Sequence, residues 1–281
     1  MIGLERGRVA LAEHDRAWER LAAEAGERIR RAWGPVALDV QHVGSTAIRH
    51  IRAKPILDLA VAVESLATAE AHSPELEWAG FRRRGSDVPG QILYVGGVGE
   101  RRTHHIHVVP RDDIQWANYL NFRDYLNAKP GEAKRYEALK LRLAARYPQD
   151  RVAYTAGKAA CIARMLAAAR AWALLGREVA VTVDRPLGSA HPRQPGLVYP
   201  VNYGYVEGVP GGDGAWLDAY VLGPTEPVAR FVGQVAGVCY RRDDCEDKLV
   251  VIGPGPTPSA GEMAAAIKFQ ERYFDSHVET E

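Results

Sequence analysis

The feature that most constrains this 281-residue chain is a change of sequence pattern near Gly176. Before it, long stretches with apolar residues at helical spacing alternate with short β-branched runs. After it, the helical periodicity gives way to short strand-like runs separated by glycine and proline. Two such patterns, in a chain of this length, indicate two separate cores. We therefore expect an α+β domain over 1–175 and a β-barrel domain with a C-terminal helix over 178–281.

Composition narrows the function. Hydrophobic residues make up 47% and charged residues 25%, which is typical of globular proteins and excludes disordered and fibrous classes. The 36 basic and 35 acidic residues nearly cancel, so we expect no nucleic acid and no membrane as partner. The three cysteines fit neither a disulfide set nor a zinc motif, and the N-terminus lacks the apolar run of a secretory signal. These features predict a cytoplasmic protein, and nothing in the sequence indicates an oligomeric state.

Sequence periodicity predicts the elements of the first half. Helices are expected over 16–33, 113–127, 131–147 and 151–175, and strands over 36–43, 55–63, 91–98 and 104–109. Between the first two strands, Gly44-Ser45-Thr46 predicts a turn into a short helix whose N-terminus could face a phosphate.

Four side chains of this half could hold a metal. Asp58 lies in the second predicted strand, and His105 and His107 alternate along the fourth, so both histidines share one face of that strand. Together with His42, just before the Gly-Ser turn, they would form a mixed nitrogen and oxygen metal site. The alternative is a polar cluster closed by its own hydrogen bonds.

The motifs HVGSTAIRHIRAKPILDLAV, RTHHIHVV, NFRDYL and ARYPQDRVAYTAGKAA resemble the GrpB family, a branch of the polymerase-β-type nucleotidyltransferases. The resemblance implies a mixed sheet with helices, a Gly44-Ser45 turn that holds nucleotide phosphates, and a metal at Asp58. Lys54 would add positive charge for a nucleoside triphosphate. The second acid expected two residues after Asp58 is replaced by Ala60, which puts full transferase chemistry in doubt.

The second half contains four aspartates at strand mouths, Asp213, Asp218, Asp243 and Asp247, the last beside Lys248. Clustered carboxylates suit Mg²⁺, which binds phosphate oxygens through its remaining positions, and Mn²⁺ is the natural substitute. Any one such aspartate is more often a solvated turn residue, so the prediction rests on the whole set.

The segment LVYPVNYGYVEGVPGGDGAWLDAYVLG resembles the family I inorganic pyrophosphatases. The resemblance implies an OB-like barrel that hydrolyses pyrophosphate with Mg²⁺. It also implies roles for particular residues: metal binding by Asp213, Asp218, Asp243 and Asp247, catalytic roles for Asp213, Asp218, Asp247, Lys248 and Tyr203, and phosphate contacts from Tyr203, Lys248 and Arg193.

One departure from that family pattern bears on catalysis. Ala215 stands where the carboxylate that orients the attacking water is expected, and losing such a group costs on the order of 10² to 10⁴ in rate. Asp244 or Glu207 could substitute for it. The leading hypothesis is a Mg²⁺-dependent pyrophosphatase fused to a nucleotidyltransferase-like domain, and the alternative is a catalytically degenerate protein that binds nucleotide or phosphate.

Overall fold

The structure is a computed structural model that describes residues 2–85, 88–192 and 194–281. It divides into two compact units, Met1–Ile162 and Ala163–Glu281. The division lies inside a helix and earlier than the change of pattern near residue 176. Arg164, just past the division, donates to the backbone oxygens of Arg241 and Asp244, which ties this part of the helix to the second unit. The predicted domain ends at 175 and 178 stay predictions.

The first unit is built on a mixed sheet with the strand order β2-β3-β6-β5-β4, to which β1 adds by pairing with β6. The β3–β6 pair is parallel and the other pairs are antiparallel. The strands are β1 Leu4–Glu5, β2 Asp39–Val43, β3 Leu57–Val63, β4 Phe81–Gly85, β5 Ile92–Val98 and β6 Arg101–Pro110. The helices are α1 Ala17–Trp33, α2 Leu66–Ala71, α3 Ser73–Trp78, α4 Ile114–Ala128, α5 Pro130–Arg146, α6 Arg151–Ala156 and α7 Ala159–Trp172, whose last part belongs to the second unit.

Alternation along β3, with the sequence LDLAVAV, divides the sheet into two faces. Leu59 and its same-face neighbours pack in the larger core with Trp18 of α1. On the other face, Ala60 packs with Trp116 of α4 in a smaller cluster. Asp58 lies on this second face, next to α4, because it is two residues from Ala60.

Most of the predicted elements of this unit are present, with several differences. The helix predicted over 151–175 is two helices, separated at Gly157 and Lys158. The short helix predicted after Gly44 is only a 3-10 turn, Ser45–Ala47, because Ile48 returns to an extended conformation. A single turn of this kind offers no helix N-terminus to a phosphate. The sequence also gave no prediction for β4 or for α2 and α3, whose apolar stripes are short.

The second unit contains a closed five-stranded barrel in the order β13-β11-β10-β7-β12, with β12 pairing back onto β13 and β14 added to β12. The strands are β7 Glu178–Arg185, β8 Ala190–His191, β9 Gln194–Val198, β10 Asn202–Pro210, β11 Trp216–Leu222, β12 Arg230–Arg241, β13 Lys248–Ile252 and β14 Ser276–Glu279, and the helix is α8 Ala260–Glu271. The barrel and its helix confirm the predicted architecture at that level, and the OB-like connectivity stays a prediction.

Helix α8 begins with a capping box, in which Ser259 and Glu262 satisfy each other's backbone donors. Its Met263 and Ile267 pack on the tyrosines of the barrel core, including Tyr203 and Tyr220. Strand β10 was not predicted, because the sequence NYGYVEGVP has a turn-like composition. Among the helices that the structure describes, none is both long and apolar enough to cross a bilayer.

A buried histidine predicts how the stability of the first unit depends on pH. Burial lowers the pKa of His104 from 6.5 to about 4. The unfolded chain therefore takes up a proton below pH 6.5 that the folded chain does not take up until about pH 4, so the stability that this group contributes is lost as pH falls through that window.

We expect this linkage to lower the free energy of unfolding by about 2 kcal/mol between pH 7.5 and pH 5.0. In His104→Gln the drop should shrink by a similar amount, and in His72→Gln, at an exposed site, it should stay as in the wild type. Urea unfolding followed by tryptophan fluorescence at the two pH values measures both differences. An unchanged drop in His104→Gln would contradict the assignment.

Candidate functional site

The register of the parallel β3–β6 pair assembles a cluster of three side chains. It sets Asp58 opposite His105 and Ala60 opposite His107, so the aspartate and both histidines lie on one face of the sheet. The Nδ1 of His105 lies 3.1 Å and the Nε2 of His107 lies 3.2 Å from the same oxygen, Oδ1 of Asp58. The predicted meeting of these three residues is present in the structure.

The cluster favours a charged carboxylate. Burial alone would raise the pKa of Asp58, but hydrogen bonds from His105 and His107, together with their charge, hold it well below its ordinary value. The aspartate is therefore ionised at neutral pH and can accept two hydrogen bonds or ligate a cation. The Nδ1 of His107 is buried without a hydrogen-bond partner, so this ring is not fixed by an acceptor on its far side.

The donor set can be tested against a metal. Among the residues that the structure describes, Asp58, His105 and His107 form the one group of three or more histidine, cysteine or acidic side chains whose ligand atoms lie within 4.8 Å of one another. Two imidazoles and one carboxylate suit Mn²⁺, Zn²⁺ or Fe²⁺ better than Mg²⁺, which prefers oxygen ligands. The residues fit a transition metal with open positions.

His42 is not part of this group. It pairs with Leu59 across the β2–β3 ladder, so it lies on the opposite face of the sheet from Asp58. Its Nε2 lies 2.9 Å from the hydroxyl of Thr46, and burial lowers its pKa to about 4. His42 thus contacts the turn through Thr46, from the opposite face of the sheet, and does not act as a fourth ligand.

Gly44 is required at this site for two reasons. Its φ of 68° lies in the left-handed region, and an added Cβ would be 2.6 Å from Oδ2 of Asp58. The backbone of the Gly-Ser turn therefore touches the carboxylate. Burial raises the pKa of Tyr136 in α5 to about 12, and the side chain of the next residue, Ser45, opposes that rise.

Lys54, predicted to contact a triphosphate, lies in a group of cations that the sequence did not reveal. Its Nζ is 5.3 Å from the centre of the Tyr154 ring, and the Nζ of Lys158 lies 4.6 Å from the same ring. Lys140 is 1% exposed in the neighbouring helix α5. The signal was present, because the buried stripe of α5 contains Glu137 and Lys140 where apolar residues are normal.

In the barrel, three of the predicted site residues meet. The Nζ of Lys248 donates to Oδ2 of Asp218 and to the hydroxyl of Tyr203, both at 2.6 Å, and that hydroxyl donates to the same Asp218 oxygen at 2.5 Å. Burial raises the pKa of Tyr203 well above its ordinary value, so the phenol stays protonated. Lys248 is 1% exposed, and Asp218, whose side chain is 31% exposed, is the part of the network that meets solvent.

The other three aspartates point to different partners. The carboxylate of Asp213 accepts from the backbone of Ala215 in its own turn, and that of Asp243 accepts from the backbone of Asp275. Asp247 is 5% exposed, accepts from the backbone of Arg241, and has a pKa that burial raises to about 6. Within the described residues the four aspartates form no metal-ligating group, so the structure does not bring the predicted magnesium cluster together.

Two further residues complete the account of the predicted barrel site. Arg193 lies outside the described residues, so its predicted phosphate contact stays a prediction. Asp244, proposed as a substitute for the missing carboxylate at Ala215, accepts from the buried Arg241. An aspartate held in this way is committed to an ion pair and is poorly placed to orient water.

The comparisons with known proteins bear on the first unit. The family model described as GrpB protein matches residues 8–168, which is more than half of the chain. The chain belongs to the GrpB family. The glutamate-rich protein GrpB of Alkalihalophilus pseudofirmus is 38% identical over 160 residues, which cover 55% of this chain and 92% of the relative.

Solved structures agree for the GrpB domain. The crystal structure of GrpB from Enterococcus faecalis matches with a TM-score of 0.53 and 30% identity, over 57% of this chain and 96% of the other. An inorganic pyrophosphatase from Neisseria gonorrhoeae matches with a TM-score of 0.28 and 21% identity, over 34% of this chain and 71% of the other. A likeness at that level carries no argument about the barrel.

The contact between Gly44 and Asp58 in the GrpB domain gives a second prediction. Gly44→Ala adds the cost of a left-handed alanine and also displaces Asp58, whereas Gly34→Ala, at φ 51° with nothing within 4 Å of its Cβ, adds only the first. We expect Gly44→Ala to lower the free energy of unfolding by about 1–3 kcal/mol more than Gly34→Ala does. Urea unfolding measures both, and equal losses would contradict the close approach.

Proposed function

We propose that the GrpB domain binds a divalent transition metal at Asp58, His105 and His107, and that it binds a nucleoside triphosphate beside this metal. The convergence of these three side chains on one point carries the proposal. A metal there would supply a positive charge that polarises a phosphoryl oxygen. The backbone of Gly44 borders the carboxylate, and Lys54 lies near enough for the charge of Asp58 to act on its ammonium group.

Nucleotidyl transfer is the reaction that this arrangement favours. In such a reaction an acceptor hydroxyl loses its proton to water and its oxygen forms a bond to the α-phosphorus. The bond from the α-phosphorus to the oxygen that bridges to the β-phosphate breaks, and pyrophosphate leaves with that oxygen. The chain's own residues would orient the triphosphate at the Gly-Ser turn and hold the charge of the leaving group with lysine. Ala60 reduces the number of carboxylates, so a single metal ion is the expected stoichiometry.

Metal binding is the first test of this site. In titrations of the full chain with Mn²⁺, we expect His105→Ala and His107→Ala each to weaken binding at least 10-fold, as removal of one ligand of three should. His72→Gln removes an exposed histidine and serves as the matched control. Equal affinities in the wild type and both histidine variants would show that the cluster is only a hydrogen-bonded one.

For the barrel, we propose Mg²⁺-dependent hydrolysis of pyrophosphate, in which water forms a bond to one phosphorus, the bridging P–O bond breaks and two phosphates leave. The network of Lys248, Tyr203 and Asp218 supports it, because it sets a buried cation and a phenol beside a carboxylate open to solvent. Asp218 is the carboxylate best placed to share a metal with the substrate. No step is assigned to Asp213, Asp243 or Asp247, whose contacts in the structure lie elsewhere.

Phosphate release from pyrophosphate with Mg²⁺ tests the barrel. We expect Asp218→Asn to lower the rate by on the order of 10²-fold or more, since it removes both the proposed metal ligand and the counter-ion of Lys248. Asp275→Asn, in an exposed pair with Arg242, is the matched control and should keep the wild-type rate. Release that is equal in both variants would exclude the barrel as its source.

A second candidate is a barrel that binds pyrophosphate without cleaving it. The observation that favours it is the ion pair of Lys248 with Asp218, together with Ala215, which leaves no carboxylate at the position expected to orient water. In that case pyrophosphate would bind and no phosphate would be released. The Lys248→Gln variant would then lose pyrophosphate affinity.

A further inference from the structure

Three lysines of the GrpB domain surround two buried tyrosines, and we refer to Lys54, Lys140 and Lys158 as the lysine cluster. The ammonium groups of Lys54 and Lys158 lie 5.3 Å and 4.6 Å from the centre of one ring, that of Tyr154. The ammonium group of Lys140 lies 4.7 Å from the ring of Tyr136. Three cations thus share a small region of low polarity, where each repels the others.

The negative charge near this cluster is already engaged. Glu137 attracts Lys140, but its two carboxylate oxygens accept from the backbone of Arg52 and from Lys134. Lys140 itself donates to the backbone oxygen of Arg52 at 2.6 Å. A lysine with a structural role is normally buried beside a carboxylate of its own. Within the described residues, the carboxylates that act on this cluster, Glu137 and Asp58, each have other hydrogen-bond partners.

The charge of Asp58 acts on the same lysines. It raises the pKa of Lys54 and of Lys158, but the hydrogen bonds from the two histidines already occupy its Oδ1. Burial has the larger effect, and repulsion by the neighbouring lysines adds to it. Together they lower the pKa of Lys54 to about 8 and that of Lys140 to about 7. Burial and mutual repulsion of these ammonium groups therefore cost free energy, and a bound anion would lower that cost.

Its position points to the ligand. The side chain of Ser45, in the Gly-Ser turn, lowers the pKa of Tyr136, whose ring lies beside Lys140. The charge of Asp58 acts on the pKa of both other lysines. The cluster therefore neighbours both that turn and Asp58, one of the proposed metal ligands. An anion seated here would have one end beside the metal and the other against the lysines.

We propose that the lysine cluster is a binding site for a polyphosphate group, the phosphate chain of the nucleotide, and that it binds this group without needing a metal. This inference rests on the proposed nucleotide site of the GrpB domain and assigns Lys140 and Lys158 a part in it. The three ammonium groups could each bind an oxygen of a phosphate chain, whereas a single carboxylate would neutralise only one ammonium group. A chain of two or three phosphates therefore fits better than a carboxylate ligand.

The probe is inorganic tripolyphosphate, titrated calorimetrically into the full chain in EDTA at low salt. We expect the wild type to bind, and Lys54→Gln and Lys158→Gln each to weaken binding about 10- to 100-fold, as loss of a charge-assisted hydrogen bond does. Lys158→Arg should restore most of the affinity, because it keeps the charge. Lys268→Gln, at an exposed site in α8, is the matched control and should bind as the wild type does.

Hydrogen exchange then separates this site from the barrel. Tripolyphosphate should slow amide exchange in peptides from α5 and α6, and Lys158→Gln should abolish that protection. Affinity and protection unchanged in Lys158→Gln would overturn the proposal, as would protection confined to barrel peptides. If His107→Ala loses Mn²⁺ yet still binds tripolyphosphate in EDTA, the lysine cluster stands. If the wild type binds tripolyphosphate but transfers no nucleotide, the transfer reaction fails and the binding site remains.

Discussion

The candidate site of the GrpB domain depends on one constraint, the register of the single parallel strand pair described in its sheet. Parallel pairing of β3 with β6 places Asp58 beside His105 and leaves Ala60 beside His107. Ala60 is fully buried under Trp116, and its small side chain leaves room for the imidazole of His107 to reach back to Asp58. The residue that removes a carboxylate from the family pattern therefore also permits the second histidine contact.

In the barrel, too, a parallel strand pair brings an aspartate to its partner, but the partner is a different kind of side chain. Its parallel pair, β11 with β13, sets Asp218 close to Lys248 near the starts of the two strands. In the GrpB domain the aspartate meets two imidazoles, which can lose a proton and ligate a metal. In the barrel it meets an ammonium group, which cannot ligate while it is protonated. The first arrangement suits a cation and the second suits an anion, so the two sites should differ in what they bind first.

Strand alternation and helical periodicity predicted much of the fold, because burial of one face imposes a period that sequence alone displays. The meeting of Asp58 with His105 and His107 was predictable for the same reason. The hydrogen-bond partners of Asp213, Asp243 and Asp247 were not predictable from the sequence. A carboxylate in a turn can bind either a metal or the nearest backbone N–H, and loop geometry decides which of the two it binds. Lys140 was missed because a lysine in a helix is normally solvated.

The summed charges of the candidate site in the GrpB domain link the proposed metal to the lysine cluster. With a divalent metal bound, one ionised carboxylate and two neutral imidazoles would leave a net charge of about +1. The lysine cluster adds to that charge instead of balancing it, and Glu137 is already committed to Lys134 and Arg52. A site that is positive on both sides would be stabilised by an anion of several charges that bridges it, and a phosphate chain is such an anion. If metal and phosphate chain bind as proposed, the metal ligands and the lysine cluster would form two ends of one binding surface.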